Sequence, residues 1–144
     1  MNAACAVRRV ATALLLGAAS GAVFLGAGGR LAMRVFAVAT ARVPTFSVRG
    51  SLTVVLYGAL VGAIGGALYY AVVCFVPSRF LPGRGWLRGV VFAGLGYVLA
   101  SPGFRPPQLL VFALFAPAFL GYGLALNALV AHFMREPFPS PEAR

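Results

Sequence analysis

Residues 51–76, SLTVVLYGALVGAIGGALYYAVVCFV, form a stretch of twenty-six residues without a charged side chain. At about 1.5 Å of rise per residue, a helix of this length crosses a hydrocarbon core of about 30 Å. Gly58, Gly62 and Gly66 recur every four residues and therefore lie along one side of such a helix. The pattern predicts a membrane-spanning helix with a small-residue face that packs against another helix.

The composition of the whole chain also favours a membrane protein. Of its 144 residues, 61% are hydrophobic and 10% are charged, against roughly 25% charged residues in soluble domains. All twelve basic residues are arginines, the only acidic residues are Glu136 and Glu142, and the formal net charge is +10. The arginines stand at the ends of apolar runs, which is typical of membrane-flanking positions and not of a nucleic-acid-binding face. We expect the lipid bilayer as a partner and no nucleic acid.

Three further apolar runs predict an all-α, polytopic membrane protein whose transmembrane bundle has four helices. The expected spans are about residues 10–29, 51–76, 86–101 and 108–133. They form one domain, 1–136, and the proline-rich tail, 137–144, is predicted to be disordered.

Two of these spans have alternative interpretations. The first resembles a signal peptide in its basic start and small residues, although twenty uncharged residues favour a retained helix. After residue 29 the helix either continues as far as residue 42 or bends to lie in the headgroup layer as an amphipathic segment. The third contains Gly94, Gly96, Pro102 and Gly103, so a short re-entrant segment over 86–104 is the alternative to a full span.

Small residues with a spacing of four predict where the helices pack closely. The predicted packing positions are Gly17 and Gly21 in the first span and Gly58, Gly62 and Gly66 in the second. Ala18, Ala22 and Gly26 form a second row on the first span. We expect packing within one chain, with a homo-oligomer or another membrane subunit as the alternative. Pro117 is predicted to kink the last span, because its ring clashes with the preceding turn and it donates no hydrogen bond.

Two short elements, GRLAMR and GRGWLR, each place two arginines one helical turn apart. These are Arg30 with Arg34 and Arg84 with Arg88. Two guanidinium groups one turn apart are able to hold a lipid phosphate or another anion, and ordinary interfacial anchoring is the alternative. We expect Arg30 and Arg34 to be lipid anchors, for which replacing both with lysine changes little, since a point charge serves as well there. If they hold a phosphate or a partner's carboxylate through forked hydrogen bonds, lysine fails.

The chain shows no catalytic residue set. Cys5 and Cys74 lack the spacing of a disulfide framework or a metal site, and His132 has no acidic partner in its span. Asn127 is a candidate for a hydrogen bond to a neighbouring helix. No carboxylate lies within a span, although proton-coupled carriers normally need one. We therefore predict a protein that is not an enzyme and has no catalytic residue, metal or cofactor.

The stretches GRLAMRVFAV and TFSVRGSLTVVLYGALVGAIGGALYY, followed by a P-x-R-x-L-P loop, resemble a group of small uncharacterised bacterial integral membrane proteins. That group shares a G-x-x-M-R element, to which GRLAMR corresponds with one more residue between the glycine and the methionine, an F-[ST]-x-x-G-[ST]-L element and a glycine-rich second helix. The resemblance covers about the first two thirds of the chain. It implies a four-helix membrane architecture and carries no activity.

A second resemblance is to small four-helix fluoride channels. Gly28, Gly29 and Arg34 are similar to the end of that family's first helix. The start of its second helix is matched by Gly50, Ser51, Leu52 and Gly58. The chain departs from the family where the pore asparagine falls on Val55, and VVFAGLGYVLAS lacks the family's broken third helix. The resemblance implies a small channel as an alternative.

The sequence therefore predicts a non-enzymatic membrane component, a small subunit or scaffold that packs through glycine-rich helix faces. A small ion channel or carrier is the alternative. With four spans, seven arginines lie on the side of both termini and five on the other, so the positive-inside rule predicts cytoplasmic termini in a bacterial inner (plasma) membrane.

Overall fold

The computed structural model describes residues 3–41, 47–75, 85–100 and 108–133. Arg84, the predicted tail 137–144 and the possible re-entrant residues 101–104 lie outside the described residues. The described chain is helical, which confirms the all-helical prediction. Its helices are α1 (Ala3–Gly21), α2 (Gly29–Ala39), α3 (Val48–Phe75), α4 (Gly85–Ala100) and α5 (Gln108–Phe133). A π-helical segment, Ala22–Gly28, joins α1 to α2.

Three of the helical stretches are long and apolar enough to cross a membrane, namely Val7–Ala39, Val48–Phe75 and Leu109–Phe133. The first predicted span continues past residue 29, and its helix ends at Ala39. Ala41 then has a φ of 53°, the left-handed conformation that often follows a helix end. The fourth apolar helix, Gly85–Ala100, has 16 residues.

The helices alternate in direction along the bundle. Gly17 of α1 lies against Gly66 of α3, and Gly21 against Gly58, so α1 and α3 are antiparallel. The helices α4 and α5 are also antiparallel, since Gly89 meets Asn127 while Tyr97 meets Phe119. Tyr122 of α5 bonds to Gly62 of α3, and Asn127 bonds to Tyr69, so α3 and α5 are parallel. The start of α1 and the end of α5 therefore lie at the same end of the bundle.

The core is small and lies where α5 packs on the pair formed by α1 and α3. Leu126 is fully buried, with 0% exposure, and Tyr69, Tyr122 and Val130 complete the buried cluster. Phe24 and Phe92 pack against its edge. Large apolar side chains on the outer faces remain exposed, and the ridge along α3 consists of Leu52, Leu56, Leu60, Ile64 and Leu68.

Candidate functional site: glycine crossings and the arginine ends

The crossing of α1 and α3 brings together the five glycines predicted from their spacing. All five are buried. A Cβ atom added at Gly62 would lie 2.6 Å from the Cα of Gly21, and one added at Gly17 would lie 2.8 Å from the Cα of Gly66. Real Cβ atoms essentially never approach another atom so closely. The two backbones therefore touch along the crossing, and glycine is required because any side chain would separate them.

After Gly21, the π-helical segment continues the close packing of this helix on α3. A step of four residues would place Leu25 against α3, whereas the wider π turn places Gly26 there. A Cβ atom at Gly26 would lie 2.7 Å from the Cα of Val55. The assignment of Gly26 to a second row with Ala18 and Ala22 is therefore corrected. Gly26 is buried in the first row, because the π segment adds one residue to the turn.

A second glycine crossing, which the spacing analysis did not single out, joins α4 to α5. A Cβ atom at Gly89 would lie 2.7 Å from the carbonyl oxygen of Gly123, and one at Gly123 would lie 2.7 Å from the Cβ of Ala93. Gly89 and Ala93 are four residues apart, and this spacing of small residues indicates the face of α4 that packs on α5. It was missed because Gly94 and Gly96 are closer to the middle of α4 and obscured the pattern.

Two aromatic side chains, Tyr122 of α5 and Phe24 of the π-helical segment, link α5 to the crossing of α1 and α3. The Tyr122 hydroxyl donates a buried hydrogen bond of 2.8 Å to the carbonyl oxygen of Gly62. The Phe24 ring occupies the space beside Gly121. Gly62 is therefore both the middle glycine of the first crossing and the acceptor that holds α5.

A second polar contact involves α3, α4 and α5. The Tyr69 hydroxyl donates a hydrogen bond to Asn127 Oδ1 at 2.5 Å, and the Tyr69 ring meets Phe92 edge to face at a centroid distance of 5.2 Å. Arg88 of α4 lies near enough to Tyr69 to interact with it electrostatically. Asn127 thus bonds to a neighbouring helix.

The described members of the predicted arginine pairs lie at opposite ends of the bundle. Arg30 is half-buried, and its Nε–H donates to the hydroxyl of Ser51 at 3.2 Å. Arg34 is exposed on α2. Arg88 lies at the other end, where Arg9 and Cys74 both contact the side chain of Tyr70.

The remaining predicted positions are peripheral. Pro117 lies within α5 and is exposed. His132 is exposed and meets the Phe133 ring edge to face at 5.0 Å. Across the described ranges, no three His, Cys, Asp or Glu side chains come together as metal ligands.

Comparisons of the chain with protein-family models, with curated proteins and with solved structures find no match. The resemblances to small bacterial membrane proteins and to fluoride channels stay predictions.

Proposed function

We propose that the chain is a four-span helical membrane protein. Support comes from the alternation of helix direction, which returns α5 to the end at which α1 starts. The large apolar side chains exposed along α3 suit lipid chains and not water. Such a face has no driving force to be covered in a bilayer, where lipid tails are as apolar as leucine.

At each end of the bundle an arginine lies beside a polar side chain. The distance between these two ends is close to the thickness of the hydrocarbon core of a bilayer. Arg9 lies beside Tyr70 at one end, and Arg30 lies beside Ser51 at the other. Arg9 and Arg30 are separated along their helix by about 32 Å, and Ser51 and Tyr70 by about 29 Å, at 1.5 Å per residue. A hydrocarbon core is about 30 Å thick.

The helix α4 is the shortest proposed span. Its 16 residues extend over about 24 Å. Arg88 and the exposed Trp86 stand at its start, where a long basic side chain and an amphipathic ring reach the interface. The glycine crossing with α5 holds α4 alongside a longer apolar helix. We propose that α4 crosses with local thinning of the bilayer instead of re-entering.

Within this bundle the chain acts as a non-enzymatic subunit or scaffold. The observation that carries this proposal is that the glycine rows are used inside the chain, Gly17 and Gly21 against Gly58, Gly62 and Gly66. In the described ranges every buried side-chain nitrogen and oxygen also has a hydrogen-bond partner. A packed interior leaves recognition to the outer faces and the ends of the helices.

The alternative function is a small ion channel or carrier. A conducting pathway needs polar groups that face a solute and release it. The polar groups that the described residues place between helices are instead bonded to each other or to the backbone, as in Tyr69 with Asn127 and Tyr122 with Gly62. This pairing favours the scaffold.

Purification of the native chain in mild detergent, followed by liposome reconstitution, separates the two functions. The scaffold predicts a membrane subunit that co-purifies in fixed stoichiometry, and anion and cation flux equal to that of empty liposomes. The control is the chain with Tyr122→Phe, which alters interior polarity and leaves the outer faces unchanged. Flux well above empty liposomes that changes in this variant would contradict the scaffold and support the channel.

The number of arginines on each side of the membrane predicts which side faces the cytoplasm. Those proposed on the side of the termini are Arg8, Arg9, Arg79, Arg84, Arg88, Arg135 and Arg144, and those on the other side are Arg30, Arg34, Arg42, Arg49 and Arg105. The positive-inside rule then places both termini in the cytoplasm, in a bacterial inner membrane.

A further inference from the structure

The guanidinium of Arg30 is held against the first turn of α3. Its Nε–H donates to the Ser51 hydroxyl at 3.2 Å, and one terminal nitrogen lies 3.7 Å from the place that a Cβ of Gly50 would take. The Ser47 hydroxyl accepts the Gly50 N–H at 2.9 Å, so this turn is itself capped. The arginine thus has a defined orientation, which an interfacial anchor does not need.

The residues that the structure describes include no aspartate or glutamate, so none of them neutralises Arg30. The only acidic residues, Glu136 and Glu142, follow α5, and α5 ends at the opposite end of the bundle. Arg34, one turn further along α2, and Arg49, just before Gly50, add positive charge at this end. The partial positive charge at the start of α3 has the same sign. A half-buried guanidinium bonded to a neutral hydroxyl is stabilised by an anion, and none of the described residues supplies one.

The remaining hydrogen-bonding groups of Arg30 suit a tetrahedral oxyanion. Ser51 takes only the Nε–H, and the two terminal nitrogens carry four further N–H groups in a planar fork. Such a fork binds phosphate oxygens in pairs. Phosphate is also the anion that a bilayer presents at the level of its headgroups, where the proposed membrane placement puts Arg30.

We propose that Arg30 binds the phosphate group of an anionic phospholipid, with Ser51 as a positioning residue and Arg34 and Arg49 supplying the surrounding positive field. This inference rests on the proposed membrane placement. It revises the expectation that lysine serves equally well at residue 30. Lysine carries the charge but has neither the Nε–H that reaches Ser51 nor a planar fork.

The test uses the full chain, purified in an uncharged detergent and stripped of lipid, with native mass spectrometry to count bound molecules. The probes are phosphatidylglycerol, phosphatidylcholine, which has the same phosphate but no net charge, and inorganic phosphate. The variants are Arg30→Lys and Ser51→Ala. The matched control is Arg8→Lys, which changes an exposed arginine at the other end of the bundle. Thermal unfolding of each variant verifies that it is folded.

We expect phosphatidylglycerol to bind about fivefold more tightly than phosphatidylcholine. Arg30→Lys weakens the binding of phosphatidylglycerol about tenfold and Ser51→Ala about threefold, whereas Arg8→Lys leaves it unchanged. A folded Arg30→Lys variant that binds as the wild type does would overturn the proposal, as would an equal loss in Arg8→Lys. Inorganic phosphate that binds as tightly as the lipid would overturn the lipid as the source of the phosphate.

Failure of this inference is distinguishable from failure of the membrane placement. Partition of the chain between the membrane and soluble fractions, measured before detergent is added, tests the placement alone. A chain that is found in the membrane but has no preference for phosphatidylglycerol contradicts only the phosphate site. Binding of an acidic protein at Arg30 in place of the lipid, lost in Arg30→Lys, would also overturn it.

Discussion

Replacing Gly62 with leucine is expected to separate α1 from α3. The site offers no room even for a methyl group, since a Cβ there would lie 2.6 Å from the Cα of Gly21 and also against the carbonyl oxygen of Gly17. Ordinary contacts are 3.4–4 Å, so the backbones must part by about 1 Å. Both neighbours are backbone atoms, which cannot move aside as the end of a side chain does.

The size of the effect follows from the dispersion contacts of the crossing. A gap of this width forfeits roughly a quarter to a half of each contact energy, which is about 0.1–0.2 kcal/mol per atom pair. If the crossing makes about as many contacts as one buried leucine, roughly 50, the loss is about 1–5 kcal/mol. The Tyr122 bond to the Gly62 carbonyl oxygen is disturbed as well.

The assay is the unfolding of the purified chain in detergent, for Gly62→Leu beside Val61→Leu. Val61 is 52% exposed on the outer face of α3, so a larger side chain there meets lipid or detergent. Gly94→Ala is a second control, because nothing lies within 4 Å of a Cβ added at Gly94. Equal expression and equal unfolding midpoints for Gly62→Leu and Val61→Leu would refute the reasoning.

Two further predictions concern the crossing of α1 and α3. Tyr122→Phe removes the buried hydroxyl that bonds to the Gly62 carbonyl oxygen and should lower the free energy of unfolding by about 1 kcal/mol, measured in the same detergent assay; an unchanged midpoint would show that this bond contributes nothing. Deletion of Val23 should be tolerated, because it removes the residue that the π segment accommodates and returns Gly26 to a spacing of four from Gly21. Deletion of Leu60 should instead rotate Gly62 and Gly66 away from α1 by about 100° and abolish folding. Equal yields of the two deletion variants would contradict the register in which the glycines of α1 and α3 face each other.

The helices were largely predictable because their signals are local. Apolar length placed α5 at 108–133 as the structure has it. The start of α3 was predicted three residues late, since helix ends depend on capping and Ser47 supplies the cap. The glycine row was visible because a spacing of four maps to one helix face without knowledge of the partner.

Other features depend on the partner helix and were not predictable in the same way. A π turn appears where Gly26 packs more closely on Val55 than Leu25 could, and a repeat of four residues does not show this. The bond from Tyr122 to the Gly62 carbonyl oxygen depends on how α5 is placed against α3. For Arg30, the GRLAMR pattern indicated an anion contact but not the hydrogen bond to Ser51, 21 residues away.

Labelling of single cysteines from the two sides of the membrane tests the four-span arrangement most directly. Cys5 and Cys74 are first replaced by serine. Single cysteines are then introduced by Thr45→Cys between α2 and α3, by Phe104→Cys between α4 and α5, and by Ser140→Cys in the tail. Four spans predict that a membrane-impermeant maleimide labels residues 45 and 104 of intact cells from outside, and residue 140 only after the cells are opened. Labelling of residue 104 only after opening would show that α4 does not cross, and labelling of residue 140 from outside would contradict the cytoplasmic C-terminus.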